Sequence, residues 1–327
     1  MTQPPELKRI AVMTSGGDAP GMNAGIRAVV RWALAHQVEV LGIQRGYYGL
    51  VRGELAPLGA RDVGGRIQEG GTFLRTARLP EFKQRDVQQQ AVDVLTEHGV
   101  GGLVVIGGDG SLSGALALHS LGVRVAGVPA TIDNDMCGTD LAIGVDTALN
   151  TILEAIDRLR DTASSHGRIH VIETMGRHCG YLAMMAGVTG GAEIMHIPEV
   201  PLSLAEMLAT VEQAWARGKA HVIMTVAEGA EHDVQTIASY MEREHRGYEC
   251  RVSILGHIQR GGRPTHFDRL LATRLGVHAV QCLLDGQSGQ MVALQGAKIT
   301  AVPLPSVIGC TRAAPVDEHA LLRTLAQ

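Results

Sequence analysis

The sequence predicts an α/β protein with mostly parallel sheets. Two observations support this prediction: short apolar runs alternate with helical patterns along the chain, and most of these runs end in glycine-rich turns. Strands that alternate with helices form right-handed βαβ units and therefore parallel sheets. The length of 327 residues is typical of about two domains.

Each predicted strand is a short apolar run, which favours a buried strand over a helix. In chain order these strands lie at residues 10–14, 38–43, 103–106, 123–128, 169–172, 222–226 and 252–255. The clearest helical patterns lie at residues 23–35, at 85–97, from the turn after Ile106 to about Leu121, and at 146–161. Glycine, proline and aspartate separate strands from helices at most of these boundaries.

Composition excludes several classes of protein. Apolar residues make up 45% of the chain and charged residues 19%, which is ordinary for a globular protein. The net charge of −4 argues against a dedicated nucleic-acid-binding protein. Uninterrupted apolar runs are too short for a transmembrane helix, so no membrane partner is expected. Residues 1–8 lack the apolar segment of a secretory signal.

The cysteines are scattered and form no C-x-x-C pair. They are Cys137, Cys179, Cys250, Cys282 and Cys310. Each is expected to be a buried thiol, and an odd number of them is typical of a reducing compartment. The expected location is therefore the cytoplasm.

Four turns after predicted strands contain polar residues beside glycine. They are residues 15–21, 107–111, 129–135 and 256–263. In parallel α/β folds, ligands bind at the carboxyl ends of strands. Any one of these turns could reflect turn geometry alone, but four of them together predict a binding site.

The turn at 107–111, GGDGS, favours phosphate binding because its glycines allow backbone N–H groups to approach a phosphate at a helix N-terminus. It is not a Walker A loop, since no G-x-x-x-x-G-K-[ST] pattern occurs. Asp109 would repel phosphate unless Mg²⁺ lay between them. The alternative is that Asp109 simply caps the following helix.

Two further groups of polar residues indicate chemistry. Asp133 and Asp135 could supply a proton acceptor and a second electrostatic group, or could simply form an Asx turn. Arginines near predicted strand ends suit bidentate phosphate binding, although any one of them could be an ordinary surface residue. These arginines are Arg168, Arg177, Arg251 and Arg260.

The sequence resembles the bacterial-type ATP-dependent 6-phosphofructokinase family at six segments in the family's order. They are TSGGDAPGMN at 14–23, GGTF at 70–73, GGDGS at 107–111, TIDND at 131–135, MGR at 175–177 and GHIQRGG at 256–262. The resemblance implies two Rossmann-like three-layer αβα domains with the active site in the cleft between them. It implies an ATP-binding domain at 1–140, a fructose 6-phosphate domain at 141–255 and a return segment at 256–327 that completes both.

The resemblance also implies Mg²⁺-dependent phosphorylation of fructose 6-phosphate by ATP. Asp109 is expected to hold Mg²⁺, and Asp133 to take the proton from the sugar 1-hydroxyl, with Thr131 and Arg177 as the other catalytic residues. ATP is expected to contact Gly17, Tyr47, Arg78, Leu79, Gly108, Asp109, Gly110 and Ser111. Fructose 6-phosphate is expected to contact Thr131, Ile132, Asp133, Arg168, Met175, Gly176, Arg177, Glu228, Arg251, His257, Ile258, Gln259 and Arg260.

The family's quaternary structure implies a homotetramer in which Arg168 and Arg251 reach the active site of a neighbouring subunit. An effector site for the activator ADP and the inhibitor phosphoenolpyruvate is expected at Arg27, Arg31, Arg160, Gly191, Glu193, Arg217, Lys219 and His221. The chain departs from the family at Ala60, where a further arginine is expected, with Arg61 beside it.

Two other functions remain open at this point. One is a pyrophosphate-dependent phosphofructokinase, and the other is a non-catalytic nucleotide sensor of the same fold. By resemblance, pyrophosphate users carry aspartate at position 110 and lysine at position 130, whereas this chain has Gly110 and Ala130. A carboxylate at position 110 would repel the α-phosphate of a nucleotide, so ATP is the expected donor.

Overall fold

The structure is a computed structural model that describes residues 7–244 and 249–317 together with Ala320 and Thr324. Residues 1–6, which contribute to the prediction about a secretory signal, lie outside the described residues. The strands are β1 (Arg9–Thr14), β2 (Glu39–Ile43), β3 (Leu55–Pro57), β4 (Gly102–Gly107), β5 (Val125–Pro129), β6 (Ile169–Thr174), β7 (Ile194–His196), β8 (Val222–Ala227), β9 (Cys250–Ile254), β10 (Gln290–Gln295) and β11 (Lys298–Pro303).

The helices alternate with these strands as the sequence predicts. They are α1 (Met22–Ala35), α2 (Gly46–Val51), α3 (Arg85–Glu97), α4 (Asp109–Ser120), α5 (Val145–His166), α6 (Tyr181–Thr189), α7 (Leu204–Ala216), α8 (Val234–Glu244) and α9 (His266–Leu284). Short 3₁₀ turns lie at Pro80–Lys83, Gly256–Arg260 and Leu304–Ser306. None of the helices within the described ranges has the length and apolar character needed to cross a bilayer.

The chain divides into two compact units. Unit 1 contains the described residues up to 132 together with 136–147 and 260–311; unit 2 contains 133–135, 148–259 and the described residues from 312 onward. The first predicted boundary, at residue 140, therefore falls before the division at residue 147. Residues 141–147 belong to unit 1 because Ile143 pairs with the end of β5 through bonds to Pro129 and Thr131.

Unit 1 is built on a seven-stranded sheet in the order β11-β10-β5-β4-β1-β2-β3. Its interior pairs are parallel, and antiparallel partners lie at both edges, β3 on β2 and β11 on β10. Side chains alternate between the two faces of a strand. Ala11, Met13, Leu103 and Val105 pack into the core that includes residues of α3 and α4. The other face carries Ile106, which lies against Gly25 of α1.

Unit 2 contains a smaller, fully parallel sheet in the order β7-β8-β6-β9. Val171 and Met224 on one face pack with residues of α7 and α8. On the other face, the Thr225 hydroxyl donates to the Ala183 carbonyl of α6. Both units thus have helices on both faces of a mainly parallel sheet, which confirms the predicted α/β class.

The expectation that every cysteine is a buried thiol is wrong for two of the five. Cys137 and Cys310 form a disulfide that joins positions 173 residues apart, both within unit 1. Cys179, Cys250 and Cys282 are buried and free, as predicted. The pairing was not visible in the sequence because it depends on the C-terminal segment returning to residue 136, where Met136 pairs with Thr311.

Candidate active site

Two glycine loops of unit 1 lie in direct backbone contact. The N–H of Ser15, which follows β1, donates to the carbonyl of Ile106 in β4 at 3.1 Å. A Cβ atom at Gly107 would lie 2.5 Å from the Ser15 carbonyl oxygen. Only glycine fits there. The pairing of β1 with β4 holds the two glycine-rich loops, at 15–18 and 107–111, side by side.

The second loop ends at the N-terminus of α4. Gly108 is the N-cap residue, so Asp109 occupies the first turn and does not cap the helix itself. The Asp109 carboxylate instead accepts the Gly309 N–H at 3.3 Å. A Cβ atom at Gly110 would meet no described atom within 4 Å. Open space at a helix N-terminus, with its backbone donors and positive dipole end, can accept a phosphate.

The residues present fit a magnesium ion held jointly with a substrate. Among the described residues, no group of three or more His, Cys, Asp or Glu side chains is arranged to hold a metal alone. Mg²⁺, however, is usually bound by one or two carboxylates plus substrate phosphates. Asp109 supplies one such carboxylate beside the open space at Gly110, so it is the candidate ligand.

Tyr47 is part of the core of unit 1, and its contact with ATP stays a prediction. Its ring stacks on Phe82 with centroids 4.1 Å apart, and its hydroxyl donates to the Ser111 carbonyl at 2.6 Å. Burial raises the pKa of Tyr47. The residue therefore supports the first turn of α4 from the inside. Leu79 packs partly buried against the same core, whereas Arg78 is exposed.

Gly17 and Arg260, predicted to bind different substrates, lie together in unit 1. A Cβ atom at Gly17 would lie 2.6 Å from Nη1 of Arg260, and this Nη1 is 3.5 Å from the Asp18 carbonyl oxygen. The guanidinium therefore lies over the first glycine loop. Glycine at position 17 is required for this close approach.

The Thr131 turn lies beside the second glycine loop. The Ala130 N–H donates to the Gly107 carbonyl at 3.0 Å, and a Cβ atom at Gly108 would lie 3.6 Å from Cβ of Thr131. Thr131 is partly exposed and can reach a ligand, but Ile132 is fully buried. A contact between Ile132 and the substrate stays a prediction, and the burial of its side chain means that such a contact would involve the backbone.

Asp133 and Arg177 form an ion pair in unit 2. The Nε atom of Arg177 is 3.7 Å from Oδ2 of Asp133. Both Asn134 and Arg177 have positive φ, 52° and 55°, a conformation that non-glycine residues rarely adopt. Such conformations occur often at functional sites, where surrounding contacts enforce them. The pair brings together the predicted base and a predicted phosphate-binding cation.

Glu228 and Gln259 hold the loop that presents Arg177. Oε1 of Glu228 accepts the N–H groups of Gly176 and Arg177, at 3.2 and 2.7 Å. Oε1 of Gln259 accepts the Met175 N–H at 3.2 Å, and its Nε2 donates to Gly256.

The residues around the Arg177 loop differ in burial. Gln259 is fully buried and supports the loop, while its contact with the substrate stays a prediction. Glu228, His257 and Ile258 are exposed after the ends of β8 and β9.

Arg168 and Arg251 lie at the opposite end of the unit 2 sheet from Arg177. Arg168 precedes β6 and Arg251 is the second residue of β9, whereas Arg177 follows the carboxyl end of β6. Six residues of strand span about 20 Å. Both guanidiniums bond Oε2 of Glu249, at 2.7 and 2.8 Å. The structure thus separates these two arginines from the Arg177 loop of their own chain.

Sequence reasoning missed Glu249 and His170 in this arginine group. Burial and the charges of Arg168 and Arg251 lower the pKa of His170, which favours a neutral imidazole there. Glu249 could have been suspected from its place two residues before Arg251. The position of His170 depends on its register opposite Arg251 in the sheet.

Most of the predicted effector residues cluster in unit 2. Arg160 donates to the Gly190 carbonyl and lies 3.4 Å from Nε2 of His221. Lys219 forms an ion pair with Glu193 at 3.0 Å. Gly191 accepts a further bond from Arg160 through its carbonyl. Arg217 is exposed at the C-terminus of α7. Arg27 and Arg31 lie one turn apart on α1 of unit 1, and burial together with the charge of Arg31 lowers the pKa of Arg27.

Known proteins share this chain's sequence and fold. The phosphofructokinase family model matches residues 9–283. An ATP-dependent 6-phosphofructokinase of Thermotoga neapolitana is 52% identical over 299 residues, which cover 91% of this chain and 93% of that protein.

Solved structures of phosphofructokinases have a fold similar to that of this chain. A Pichia pastoris phosphofructokinase in the T-state superposes with a TM-score of 0.89 at 38% identity, covering 94% of this chain and 38% of that longer chain. A pyrophosphate-dependent phosphofructokinase of Marinobacter aquaeolei superposes with a TM-score of 0.84 over 95% of this chain and 86% of that one, but at 23% identity it shows a shared fold alone. Because the family model matches most of the chain and the bacterial relative is 52% identical over 91% of it, this chain belongs to the phosphofructokinase family.

Proposed function

We propose that this protein transfers the γ-phosphoryl group of ATP to the 1-hydroxyl of fructose 6-phosphate, forming ADP and fructose 1,6-bisphosphate. The observation that carries the proposal is the Asp133–Arg177 pair, a buried carboxylate 3.7 Å from an exposed guanidinium. The bacterial relative that is 52% identical supports the same reaction, since it is named an ATP-dependent 6-phosphofructokinase.

Asp133 acts as the general base in this reaction. Its carboxylate takes the proton of the 1-hydroxyl as the sugar oxygen bonds the γ-phosphorus and the bond to the β-phosphate oxygen breaks. Phosphoryl transfer depends mainly on positioning and on neutralising charge. Arg177 supplies positive charge next to the base, and Glu228 and Gln259 fix the loop that holds it.

The phosphates of ATP bind at the paired glycine loops of unit 1. The backbone at Gly17 and from Gly108 to Ser111 donates to them, with the N-terminus of α4 behind the second loop. When bound, Mg²⁺ would neutralise phosphate charge, and Asp109 is the residue that would hold it. The open space at Gly110 supports ATP rather than pyrophosphate as donor, since it leaves room for an α-phosphate.

Fructose 6-phosphate binding divides between two groups of residues. Residues of the Arg177 loop, Glu228 and His257 contact the sugar, and Arg260 contacts the 6-phosphate. Arg168 and Arg251 bind the 6-phosphate held by a neighbouring subunit. Their separation of about 20 Å from the Arg177 loop in one chain supports this arrangement. It requires an oligomer, and we propose the homotetramer typical of the family.

Anionic effectors bind at the cluster that contains Arg160, Lys219 and His221. ADP is the proposed activator and phosphoenolpyruvate the proposed inhibitor, because both are phosphate-bearing anions that suit arginine and lysine side chains. By resemblance, a further arginine is expected at the position of Ala60, so the proposed effector residues are those of unit 2 together with Arg27 and Arg31.

The proposed location is the cytoplasm, supported by the three buried free thiols. The Cys137–Cys310 disulfide argues against a reducing compartment, where disulfides are rare. Rapid alkylation of free thiols in intact cells, followed by peptide mass measurement, distinguishes a reducing from an oxidising compartment. Alkylated Cys137 and Cys310 support the cytoplasm, and a peptide pair still joined by the disulfide argues against it.

A coupled assay tests the function. Purified protein is supplied with fructose 6-phosphate and Mg²⁺, first with ATP and then with pyrophosphate, and formation of fructose 1,6-bisphosphate is measured. Faster turnover with ATP supports the proposal. Faster turnover with pyrophosphate assigns the other donor, and nucleotide binding without turnover identifies a nucleotide sensor.

A further inference from the structure

Asp268 is an ionisable residue that the proposed reaction does not use, yet its side chain is fully buried. It lies in the first turn of α9, within unit 1. Buried carboxylates require hydrogen-bond donors to compensate for lost hydration. The donors to Asp268 indicate what the residue does.

Both carboxylate oxygens bond the turn that begins α5. Oδ1 accepts the Gly144 N–H at 2.8 Å. Oδ2 accepts the Thr147 N–H at 2.8 Å and the Thr147 hydroxyl at 2.6 Å. A residue of α9 thus caps the N-terminus of α5, where a negative charge is also favoured by the helix dipole.

The capping is reciprocal. Thr265 is the N-cap of α9, and its hydroxyl accepts the Asp268 N–H at 3.3 Å. The N–H of Thr265 in turn donates to the hydroxyl of Thr147 at 3.0 Å. The N-termini of α5 and α9 are therefore locked together by one network.

This network holds the backbone of the Thr131 turn. Ile143, the residue before Gly144, donates its N–H to Pro129 and accepts the N–H of Thr131, both at 3.1 Å. The backbone next to Gly144 is therefore hydrogen-bonded to Thr131, two residues before Asp133. Gly144 has φ +105°, and a Cβ atom there would lie 2.7 Å from Cβ of Ala19.

The first glycine loop packs on the same point. Gly21 ends this loop with φ +106°, and a Cβ atom there would lie 2.7 Å from Cγ2 of Ile143 and 3.5 Å from Cβ of Asp268. Asp268 therefore lies next to the residues that anchor two loop segments of unit 1, Gly21 at the end of the first glycine loop and Ile143 beside Pro129 and Thr131.

We propose that Asp268 is a positioning residue that sets the geometry of the Thr131–Asp133 turn through Gly144 and Ile143. The inference rests on the proposed function, because its effect is expected on phosphoryl transfer. Replacing the carboxylate by an amide removes an acceptor for at least one of the three donors. The turn then loses its fixed position, and the base is presented less accurately to the sugar hydroxyl.

The test compares four variants at saturating ATP and fructose 6-phosphate. Asp268→Asn and Thr147→Val remove bonds of the network, Thr147→Ser restores the hydroxyl, and Leu283→Ala creates a core defect at the far end of α9. We expect kcat to fall at least 10-fold in the first two, with KM for each substrate changed less than about threefold. Thr147→Ser and Leu283→Ala should stay within twofold of the wild type, whatever their melting temperatures.

A second readout does not depend on activity. Amide hydrogen exchange of the peptide spanning residues 129–145 should speed up at least 10-fold in Asp268→Asn but not in Leu283→Ala, since the Thr131 N–H is protected through Ile143. Unchanged exchange there, or a kcat loss in Leu283→Ala as large as in Thr147→Val, overturns the positioning role. If the wild type has no fructose 6-phosphate kinase activity, the proposed function is rejected. If the variants then still show the expected exchange pattern, the structural link between Asp268 and the Thr131 turn stands.

Discussion

The Nε atom of Arg177 lies 3.7 Å from Oδ2 of Asp133, and the two side chains differ sharply in exposure, 68% for the arginine and 4% for the aspartate. A buried carboxylate beside an exposed cation is suited to take a proton from a substrate that the cation binds. The carboxylate is shielded from bulk water, while the guanidinium remains available to phosphate.

Replacing Asp133 by asparagine should lower kcat by about 10²–10⁴-fold, the usual contribution of a positioned base. Binding of fructose 6-phosphate should change little, because the amide keeps the size of the side chain. Steady-state kinetics and calorimetric binding measure the two effects. The control is Asp93→Asn on the exposed face of α3, and an Asp133→Asn enzyme with kcat near this control would remove Asp133 from the role of base.

Replacing Arg251 by alanine should raise KM for fructose 6-phosphate by about 10–100-fold, since a charge-assisted bond to phosphate contributes roughly 1.5–3 kcal/mol. KM for ATP should change far less. Arg243→Ala removes an exposed arginine that pairs with Glu244 and serves as the control.

Mixed oligomers test whether sites are shared between subunits. At a fructose 6-phosphate concentration well below the raised KM, neither Arg251→Ala chains nor Asp133→Asn chains alone should show appreciable activity. Co-assembly of the two should then restore part of the activity, since some sites receive both intact residues. Verified mixed oligomers that regain no activity would contradict a shared site.

Replacing Gly110 by aspartate should abolish most ATP-dependent turnover. A carboxylate would enter the space beside α4 that a nucleotide phosphate requires, and like charges about 4 Å apart repel by several kcal/mol in a poorly solvated site. Gly110→Ala is the matched control, since a Cβ atom meets no described atom within 4 Å there. Equal losses of ATP-dependent turnover in both variants would show that the size of the side chain at position 110, and not its charge, prevents the reaction.

Removing the Cys137–Cys310 disulfide should lower the free energy of unfolding by about 2–5 kcal/mol, because the bond closes a long loop in the unfolded chain. Urea unfolding of wild type with and without a dithiol reductant measures the effect. The double variant Cys137→Ser/Cys310→Ser should be insensitive to the reductant. A wild type that unfolds identically in both conditions would show that the bond contributes nothing to stability.

Stability should depend on pH through Asp268. Burial raises the pKa of its carboxyl to about 6, with a further contribution from Asp146, despite the bonds from Gly144 and Thr147. Because the folded protein holds this proton more tightly than the unfolded chain does, the contribution is present below pH 3.8 and is lost as pH rises through about 6.

Relative to Asp268→Asn, the wild type should therefore lose about 3 kcal/mol of unfolding free energy between pH 3.8 and about 6. Urea unfolding of the two proteins at several pH values measures this difference. A difference that stays constant across this range would show that the carboxyl does not titrate there.

The local pattern of the chain was sufficient to predict the central strands. β1 and β4 are buried along almost their whole length, so they are continuous apolar runs between glycine turns and are recognisable without a partner. The strands β3, β7, β10 and β11, which lie at a sheet edge or next to one, were missed. β3 and β7 have only three residues each, and β11 is only partly buried. β10 pairs with β5 at only two positions and otherwise with β11, and β3 and β11 depend on antiparallel pairing with a neighbour.

The site residues also divide into those that a local pattern predicts and those whose surroundings depend on the tertiary structure. Gly107 and Asp109 could be placed at a strand end from sequence because a turn between β4 and α4 is a local feature. Tyr47 and Gln259 were predicted to bind ligands but are buried, and their burial is decided by Phe82, Ser111 and the Met175 backbone. No local pattern reports which way such a side chain points.

By itself, the sequence determined the α/β class and the glycine-rich turns after the buried strands, because periodicity and turn residues act over a few positions. The roles expected of Asp133 and of the arginines came from the resemblance to a known family. Tertiary structure alone decided that Cys310 returns to Cys137, that Asp268 caps a helix beginning at Val145, and that Arg168 and Arg251 lie away from Arg177. Each of these depends on the path of the chain through a sheet, which brings together residues far apart in sequence or separates near ones by the length of a strand.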